Sequence, residues 1–149
     1  MSLKNWRNSG WLTDHKTSPQ EISDLLSVAD RDLKDSSATS ISPDWQLAIA
    51  YNAALQAATA ALYASGFRAA REAHHYRVIQ SLAHTIQAKP NLINQLDKFR
   101  KKRNISDYEA AGRVSQQEAD EIKRLAKGLY EQTVHWLHQN HPSLMAKKQ

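Results

Sequence analysis

The sequence predicts an all-α fold, an up-and-down bundle of about five helices that follows a tryptophan-bearing N-terminal arm. Glycine and proline are sparse, at four each in 149 residues, whereas alanine and leucine are abundant, and this composition favours helices. Helix-start patterns recur along the chain, and the apolar residues between them repeat at helical spacing. We therefore expect an arm at residues 1–17, one bundle at 18–142 and a basic tail at 143–149.

The arm carries Trp6 and Trp11 but shows no helical period. We expect both indoles to pack against the bundle rather than to form a stacking platform for bases. The first predicted helix begins after Ser18, with Pro19 in its first turn. Serine accepts a backbone N–H at the N-cap, and proline is favoured at the first helical position. This helix extends to Leu33 and gives way to a polar loop.

The second predicted helix begins with the same serine–proline pair, Ser42 and Pro43, and extends to Ser65. Gly66 then suits the left-handed conformation that commonly ends a helix. Residues 48–64 are rich in alanine and apolar nearly all round. A helix of this kind is expected at the centre of the bundle, where small side chains let its neighbours approach closely.

Three further helices complete the predicted bundle. The third covers about residues 69–87, and the fourth begins at Asn91 and becomes irregular near 104–112. The last begins after Ser115, which with Glu118 forms a capping box. No strand pattern is found. The residues that the last helix is expected to bury are Ile122, Leu125, Leu129 and Trp136 or Leu137.

Composition excludes several classes of protein. The chain has no cysteine, which excludes a disulfide scaffold, thiol catalysis and a thiolate metal site and fits a reducing compartment. No apolar run approaches the roughly 18 residues that suggest a membrane span. The N-terminus lacks the apolar core of a signal peptide. The sequence therefore predicts a soluble cytoplasmic protein without a membrane partner.

One arginine lies on the apolar face of the fourth predicted helix. Leu92, Leu96, Phe99 and Arg103 follow at steps of four, three and four, so they share one stripe. Burying an unpaired guanidinium is unfavourable, so Arg103 needs an acidic partner, a bound anion or a polar groove between subunits. Asp107, one turn further on, is the simplest acidic partner.

The same helix carries a cluster of cations. Five of the six residues at 98–103 are basic, and Lys98, Lys101 and Lys102 are expected to point into solvent. The net charge is +5. Clustered cations attract phosphate backbones without reading sequence, so the cluster favours RNA, a nucleotide or an acidic protein as partner. A solvated helix end that complements the helix dipole is the alternative.

The residues that follow Arg103 resemble the motif of HEPN domains, small helical modules that include ribonucleases. In those ribonucleases the pattern is arginine, a polar residue, a short spacer and histidine, whereas this chain has Arg103, Asn104 and then Tyr108 in place of the histidine. The resemblance covers residues 21–144. Other fragments that look like one bacterial branch are SP at 42–43, YNAAL at 51–55, ASGFR at 64–68 and HHY at 74–76.

The resemblance implies a HEPN-like bundle that forms a homodimer, or a complex with a nucleotidyltransferase in a toxin–antitoxin module. It places Arg103, Asn104 and Tyr108 at the centre of a site shared across a two-fold axis. By the same resemblance the two histidines of the HHY fragment open the third helix and can line the same groove; the alternative is that one of them caps or packs and the other is solvated. The residues expected to bind the ligand around that centre are Arg100, Lys101, Lys102, His74 and His75.

The sequence is compatible with two functions, and the chemistry of Tyr108 helps to choose between them. The first is a module that binds RNA, a nucleotide or a protein partner at Arg103, with little or no catalysis. The second is a metal-independent RNA-cleaving toxin in which a histidine from elsewhere supplies the base. A tyrosine is only about 0.1% ionised at neutral pH and is a poor base, which favours the first. A structural pair between Arg103 and Asp107 is a third alternative, and modification of Tyr108 by a partner is left open.

A metal site is not expected. Glu72 and His75 have the Glu-x-x-His spacing of di-iron bundles, but such bundles need two of these motifs and two further glutamates. The chain has no second Glu-x-x-His, and His135, His138 and His141 are expected to be surface groups. No phosphate-binding glycine loop or nucleophile elbow is present, so no cofactor is predicted.

Overall fold

The computed structural model describes residues 2–108 and 114–145, with side chains for 2–103 and 114–145. The described part is mostly helical, as predicted, and it also contains one pair of short strands. The elements in chain order are α1 (Leu3–Asn8), β1 (Leu12–Asp14), α2 (Pro19–Asp35), α3 (Pro43–Ala64), β2 (Phe67–Ala69), α4 (His74–Ser81), α5 (Pro90–Tyr108), α6 (Gln116–Asn140) and a 3₁₀ helix (Pro142–Met145).

Helix α3 lies at the centre of the bundle, between α2 and α6. Its alanines at positions 53, 57 and 61 are fully buried, and their small side chains let the flanking helices approach closely. By length and composition α3 could also cross a membrane, but 61% of its apolar window is buried inside the bundle. The core helix of a soluble protein has this same property.

The predicted helix starts are confirmed at atomic detail. Ser18 and Ser42 each accept a backbone N–H with the side-chain oxygen at the N-cap of α2 and α3. Ser115 and Glu118 form the complete capping box of α6. Gly66 follows α3 with φ of 97°, the left-handed conformation expected there. Of the apolar residues predicted for α6, three are buried and Leu125 and Trp136 are half-buried.

The N-terminal arm is more ordered than the sequence predicts. It contains α1 and β1, and β1 pairs antiparallel with β2 so that Leu12 lies opposite Ala69. The expectation of no helix and no strand is wrong here because elements this short show no period. The packing of the indoles is confirmed: Trp6 is buried and Trp11 is half-buried against the core. Their ring centroids are 5.7 Å apart.

The third predicted helix, residues 69–87, is too long. Ala69 belongs to β2, and Ala73 precedes α4 with φ of 52°, a left-handed conformation that is strained for alanine. After α4 the backbone tightens into turns, in which the N–H of His84 donates to the carbonyl of Ser81. Leu82 and Ile86 are nevertheless buried. The apolar spacing therefore identified core positions but not the backbone conformation.

Helix α5 continues through Tyr108, so the irregularity predicted at 104–112 is wrong for its first five residues. The rest of that range lies outside the described residues. The stripe is confirmed: Leu96 and Phe99 are buried, and Leu92 and Arg103 are half-buried. The predicted limits of arm, bundle and tail remain predictions, since most of the tail also lies outside the described residues.

Candidate nucleic-acid interface

Arg103 reaches from α5 to the central helix. Its Cζ lies 5.6 Å from the ring centroid of Tyr51 on α3, within the range of a cation–π contact. Its Nε is enclosed and has no hydrogen-bond partner among the described residues. A half-buried guanidinium in this state retains donors for an incoming anion.

Tyr51 forms the base of this contact. Its side chain is 1% exposed, and its hydroxyl has no hydrogen-bond partner among the described residues. Burial raises the pKa of Tyr51 well above its usual value, although the charges of Arg100 and Arg103 act in the opposite direction. The phenol therefore stays neutral and can donate a hydrogen bond.

Helix α4 places two histidines, His74 and His75, near Tyr51. The ring of His75 lies 6.2 Å from that of Tyr51 and 5.9 Å from that of His74. Burial lowers the pKa of His75 below its ordinary value, and the charges of His74, Arg103 and Arg100 lower it further. His75 is therefore largely neutral at pH 7, with one ring nitrogen able to accept a proton.

A cavity of about 450 Å³ opens beside the two histidines. Its volume is within the range of about 300–1,000 Å³ that is usual for ligand sites. We call this cavity the His–Arg pocket; its lining residues are Ala73, His74, His75, Tyr76 and Arg100.

The cations beside the pocket are partly neutralised. The Nε of Arg100 donates to Oδ1 of Asp97 at 2.7 Å, and Nζ of Lys101 lies 3.6 Å from Oδ2 of the same carboxylate. The Cζ of Arg100 also lies 5.4 Å from the ring centroid of Tyr76. Arg100 thus has a fixed position at the wall of the pocket, whereas Lys101 extends into solvent.

The exposure of the lysines differs in part from the prediction. Lys98 and Lys101 are exposed, as expected, but Lys102 is half-buried. The Nζ of Lys102 lies 3.4 Å from Oε2 of Glu118, in the first turn of α6. The prediction that Lys102 points into solvent is wrong because the start of α6 packs beside α5. This lysine links two helices instead.

Comparison with known families decides the classification. The sequence model of the HEPN domain matches residues 22–136, well over half of the chain. The chain belongs to the HEPN domain family. No curated protein and no solved structure matches it. Membership of the HEPN family indicates a nucleotide- or RNA-binding or ribonuclease-like role.

The remaining residues of the HEPN motif are located only in part. The backbone of Asn104 and Tyr108 lies in α5, but their side chains, like that of Asp107, lie outside the described residues. Their assignment to the site, and the pair between Arg103 and Asp107, therefore remain predictions. Arg103, Arg100, His74 and His75 are the predicted site residues that the HEPN fold brings together.

Sequence reasoning missed two tyrosines of this site. Tyr51 and Tyr76 appeared only as parts of family-like fragments, and neither was predicted to contact a cation. For Tyr51 one signal was present: a tyrosine within an alanine-rich buried helix has a hydroxyl that needs a partner. Tyr76 gave no comparable signal, since its contacts depend on where α5 lies.

The histidines outside the site have ordinary surroundings. In the part of the chain that the structure describes, no three His, Asp or Glu side chains are grouped so that they could hold a metal ion. His141 packs on Trp136 with ring centroids 4.9 Å apart, and burial lowers its pKa. His141 is thus a packing group rather than the surface group predicted. His135 and His138 are exposed, as predicted.

Proposed function

We propose that this HEPN domain binds RNA, with a phosphate group in the His–Arg pocket. The observation that carries the proposal is one cavity lined by Arg100 and two histidines, beside which Arg103 lies over a buried tyrosine. Guanidinium groups bind phosphate oxygens with charge-assisted and often bidentate hydrogen bonds. The family assignment supports the same class of ligand.

The unfilled donor of Arg103 explains why an anion is favoured there. Its Nε is enclosed without a partner among the described residues, and the aromatic ring below it supplies no oxygen acceptor. A phosphate group in the adjacent pocket would interact with the positive charge in a partly desolvated place, and a movement of the Arg103 side chain would let a phosphate oxygen accept from this donor. Exposed Lys98 and Lys101 would add screened long-range attraction only.

A homodimer is part of the proposal, with two pockets facing each other across the two-fold axis that the resemblance implies. The half-buried position of Arg103 supports it because a polar groove between subunits also satisfies such a cation. A nucleotidyltransferase that acts as antitoxin is the proposed heterologous partner, and the cytoplasm is the proposed location.

Metal-independent RNA cleavage is the second candidate function, and the state of His75 favours it. A neutral imidazole beside arginines can take the proton from a 2′-hydroxyl group, whose oxygen then attacks the adjacent phosphorus. The 5′-oxygen of the next nucleotide leaves with a proton from water, and Arg103 stabilises the charge that develops on the phosphoryl oxygens. This route uses a histidine from α4 instead of the motif position occupied by Tyr108.

The test of RNA binding compares Arg103→Ala with Lys98→Ala, an exposed cation of the same helix. Fluorescence anisotropy with a labelled single-stranded RNA gives the dissociation constants at several salt concentrations. Arg103→Ala should cost about 2–4 kcal/mol of binding free energy. Lys98→Ala should cost much less and mainly flatten the salt dependence. Equal losses would reduce the pocket to part of a nonspecific basic surface.

The test of cleavage uses the same RNA in EDTA. His75→Gln should abolish cleavage while leaving most of the binding, since glutamine keeps polar groups but cannot act as a base. Tyr108→His restores the family's ribonuclease pattern and should increase the rate. Cleavage that persists in His75→Gln would exclude this histidine as the base.

A further inference from the structure

A second cavity adjoins the His–Arg pocket. Its volume is about 590 Å³, and Ala73 lines both cavities. The arm forms one wall, and it is held in place because the N–H of Ala70 donates to the carbonyl of Trp11 at 2.9 Å. We call it the Trp11 cavity; the lining residues that matter here are Trp11, Ala70, Arg71, Glu72, Ala73 and Arg77.

Alternating aromatic and arginine side chains connect the two cavities. The Cζ of Arg77 lies 3.6 Å from the ring centroid of Trp11 and 5.8 Å from that of Tyr76. Tyr76 in turn lies beside Arg100, at 5.4 Å from its Cζ. We call these four residues the aromatic–arginine row. It extends from the arm to the wall of the His–Arg pocket.

The aromatic–arginine row has an exposed aromatic ring and an arginine without an ion-pair partner among the described residues, and both are available to a ligand. Tyr76 is 38% exposed, and among the described tyrosine, tryptophan and phenylalanine side chains only Trp45 is more exposed. Arg77 is half-buried, and in the described part of the structure it forms no ion pair with a carboxylate. Arg71 adds an exposed cation to the Trp11 cavity, and Glu72 is the opposing negative charge there.

We propose that the aromatic–arginine row is a second subsite, which takes the nucleotide next to the one whose phosphate lies in the His–Arg pocket. The inference rests on the proposed RNA binding and specifies its ligand as single-stranded RNA of at least two nucleotides. Bases of unpaired RNA stack on aromatic rings and on arginine guanidinium planes. Paired bases are stacked inside a duplex and cannot lie on the row.

The alternative is a structural role, in which the contact between Arg77 and Trp11 holds the N-terminal arm against the bundle. A purely structural role predicts a lower melting temperature in variants of the row, with the same affinity for every ligand in the folded protein. A subsite predicts a loss that depends on the length of the RNA. Replacing Tyr76 distinguishes the structural role from the subsite, because Tyr76 is exposed and is not part of the contact between Arg77 and Trp11.

The experiment measures dissociation constants for uridine 5′-monophosphate and for oligouridylates of two, four and eight nucleotides. The variants are Tyr76→Ala and Arg77→Gln. The matched controls are Trp45→Ala, an aromatic that is 64% exposed, and Arg68→Gln, an exposed arginine of β2. Neither control residue lines the two cavities. Melting curves for each variant establish that it is folded.

For the wild-type protein, affinity should rise steeply between the mononucleotide and the tetranucleotide. Arg77→Gln should weaken tetranucleotide binding by about 5- to 100-fold and leave mononucleotide binding unchanged. Tyr76 also lines the His–Arg pocket, so Tyr76→Ala should lower the affinity for both ligands, and for the tetranucleotide at least about fivefold more than for the mononucleotide. The two controls should change binding less than twofold. If Arg77→Gln does not fold, Tyr76→Ala decides the question alone.

Two results would overturn the inference, and they are distinguishable from failure of the proposed function. Tetranucleotide binding at the wild-type level in Tyr76→Ala would exclude the subsite while RNA binding stands. Equal losses for mononucleotide and tetranucleotide would show that the row supports the His–Arg pocket only. No binding of any of the four ligands by the wild-type protein would overturn the proposed function and the subsite together.

Discussion

Two faces of the central helix α3 differ in how completely their polar groups are satisfied. Towards α2 and α6, alanine side chains are fully buried, and serine caps or a capping box complete the helix starts. Towards α4 and α5, helix α4 follows a strained Ala73 and has no side-chain cap. There the hydroxyls of Tyr51 and Thr85 and the Nε of Arg103 lack partners among the described residues, whereas in α6 the hydroxyl of Thr133 is the buried group that lacks one.

This difference separates the region that stabilises the fold from the region that is available for function. Buried polar groups in native proteins are nearly always hydrogen-bonded, so an exception needs an explanation. Locally unfavourable features are expected to cluster at functional sites, where a ligand completes them. Changes on the first face should therefore lower stability, and changes on the second should alter binding while stability holds or rises.

The largest effect is expected on the first face, from Leu129→Ala in α6. Leu129 is 1% exposed, and its truncation should leave a cavity and lower the free energy of unfolding by about 2–5 kcal/mol. Urea denaturation measures the change. Half-buried Leu125 on the same helix is the control, since Leu125→Ala should cost clearly less. RNA affinity of the folded variant should stay at the wild-type level.

Arg103→Met tests the second face, and here the substitution should increase the free energy of unfolding rather than lower it. Methionine keeps much of the apolar stem and removes a half-buried guanidinium whose Nε has no partner among the described residues. The free energy of unfolding should rise by about 1 kcal/mol, whereas RNA binding should weaken by about 2–4 kcal/mol, as in Arg103→Ala. A marked decrease in stability would show that Arg103 has a structural partner, as the pair with Asp107 predicts.

Ala73→Gly tests the strain before α4. Ala73 has φ of 52°, and a left-handed conformation costs alanine about 1–2 kcal/mol relative to glycine. Greater freedom of glycine in the unfolded chain offsets part of this gain, so stability should rise by about 0.5 kcal/mol. Ala70→Gly, three residues earlier and without a positive φ, should lower stability by a similar amount in thermal melts.

The pH dependence of stability tests His75 and should show the most gradual effect. The pKa of His75 is lowered in the folded state, chiefly by burial and then by the charges of His74, Arg103 and Arg100. Below an unfolded-state pKa of about 6.5 the unfolded chain binds a proton that the folded state resists. Stability should therefore fall as pH decreases through that range, and His75→Gln should reduce the slope. If the slope of stability against pH were unchanged in His75→Gln, the lowered pKa of His75 in the folded state would be contradicted.

The same histidine should make RNA affinity depend on pH in the direction opposite to that of stability. A phosphate group in the His–Arg pocket favours the protonated imidazole, so RNA affinity should increase as pH decreases from neutrality, while stability decreases. His75→Gln should remove most of this increase, and anisotropy titrations at several pH values measure it. If affinity were independent of pH in the wild-type protein, the phosphate would not lie beside His75.

Local signals were sufficient to predict the first face. The caps at Ser18, Ser42 and Ser115 act within three residues of the chain, so the sequence displays them directly. The apolar period identified α2 and α6, and the serine–proline start with an alanine-rich apolar composition identified α3. The apolar period also revealed Arg103, since one cation interrupts a stripe whose neighbours are buried.

The second face depended on contacts that no local pattern contains. Tyr51, His75 and Arg103 are on three helices, and they meet only because α4 and α5 both pack against α3. The pairing of β1 with β2 and the shortening of α4 likewise result from long-range contacts that outweigh weak local preferences. By itself the sequence determined the helices and the unusual position of Arg103. Only the tertiary structure decided what surrounds that arginine, because side chains distant along the chain acquire neighbours only when helices pack.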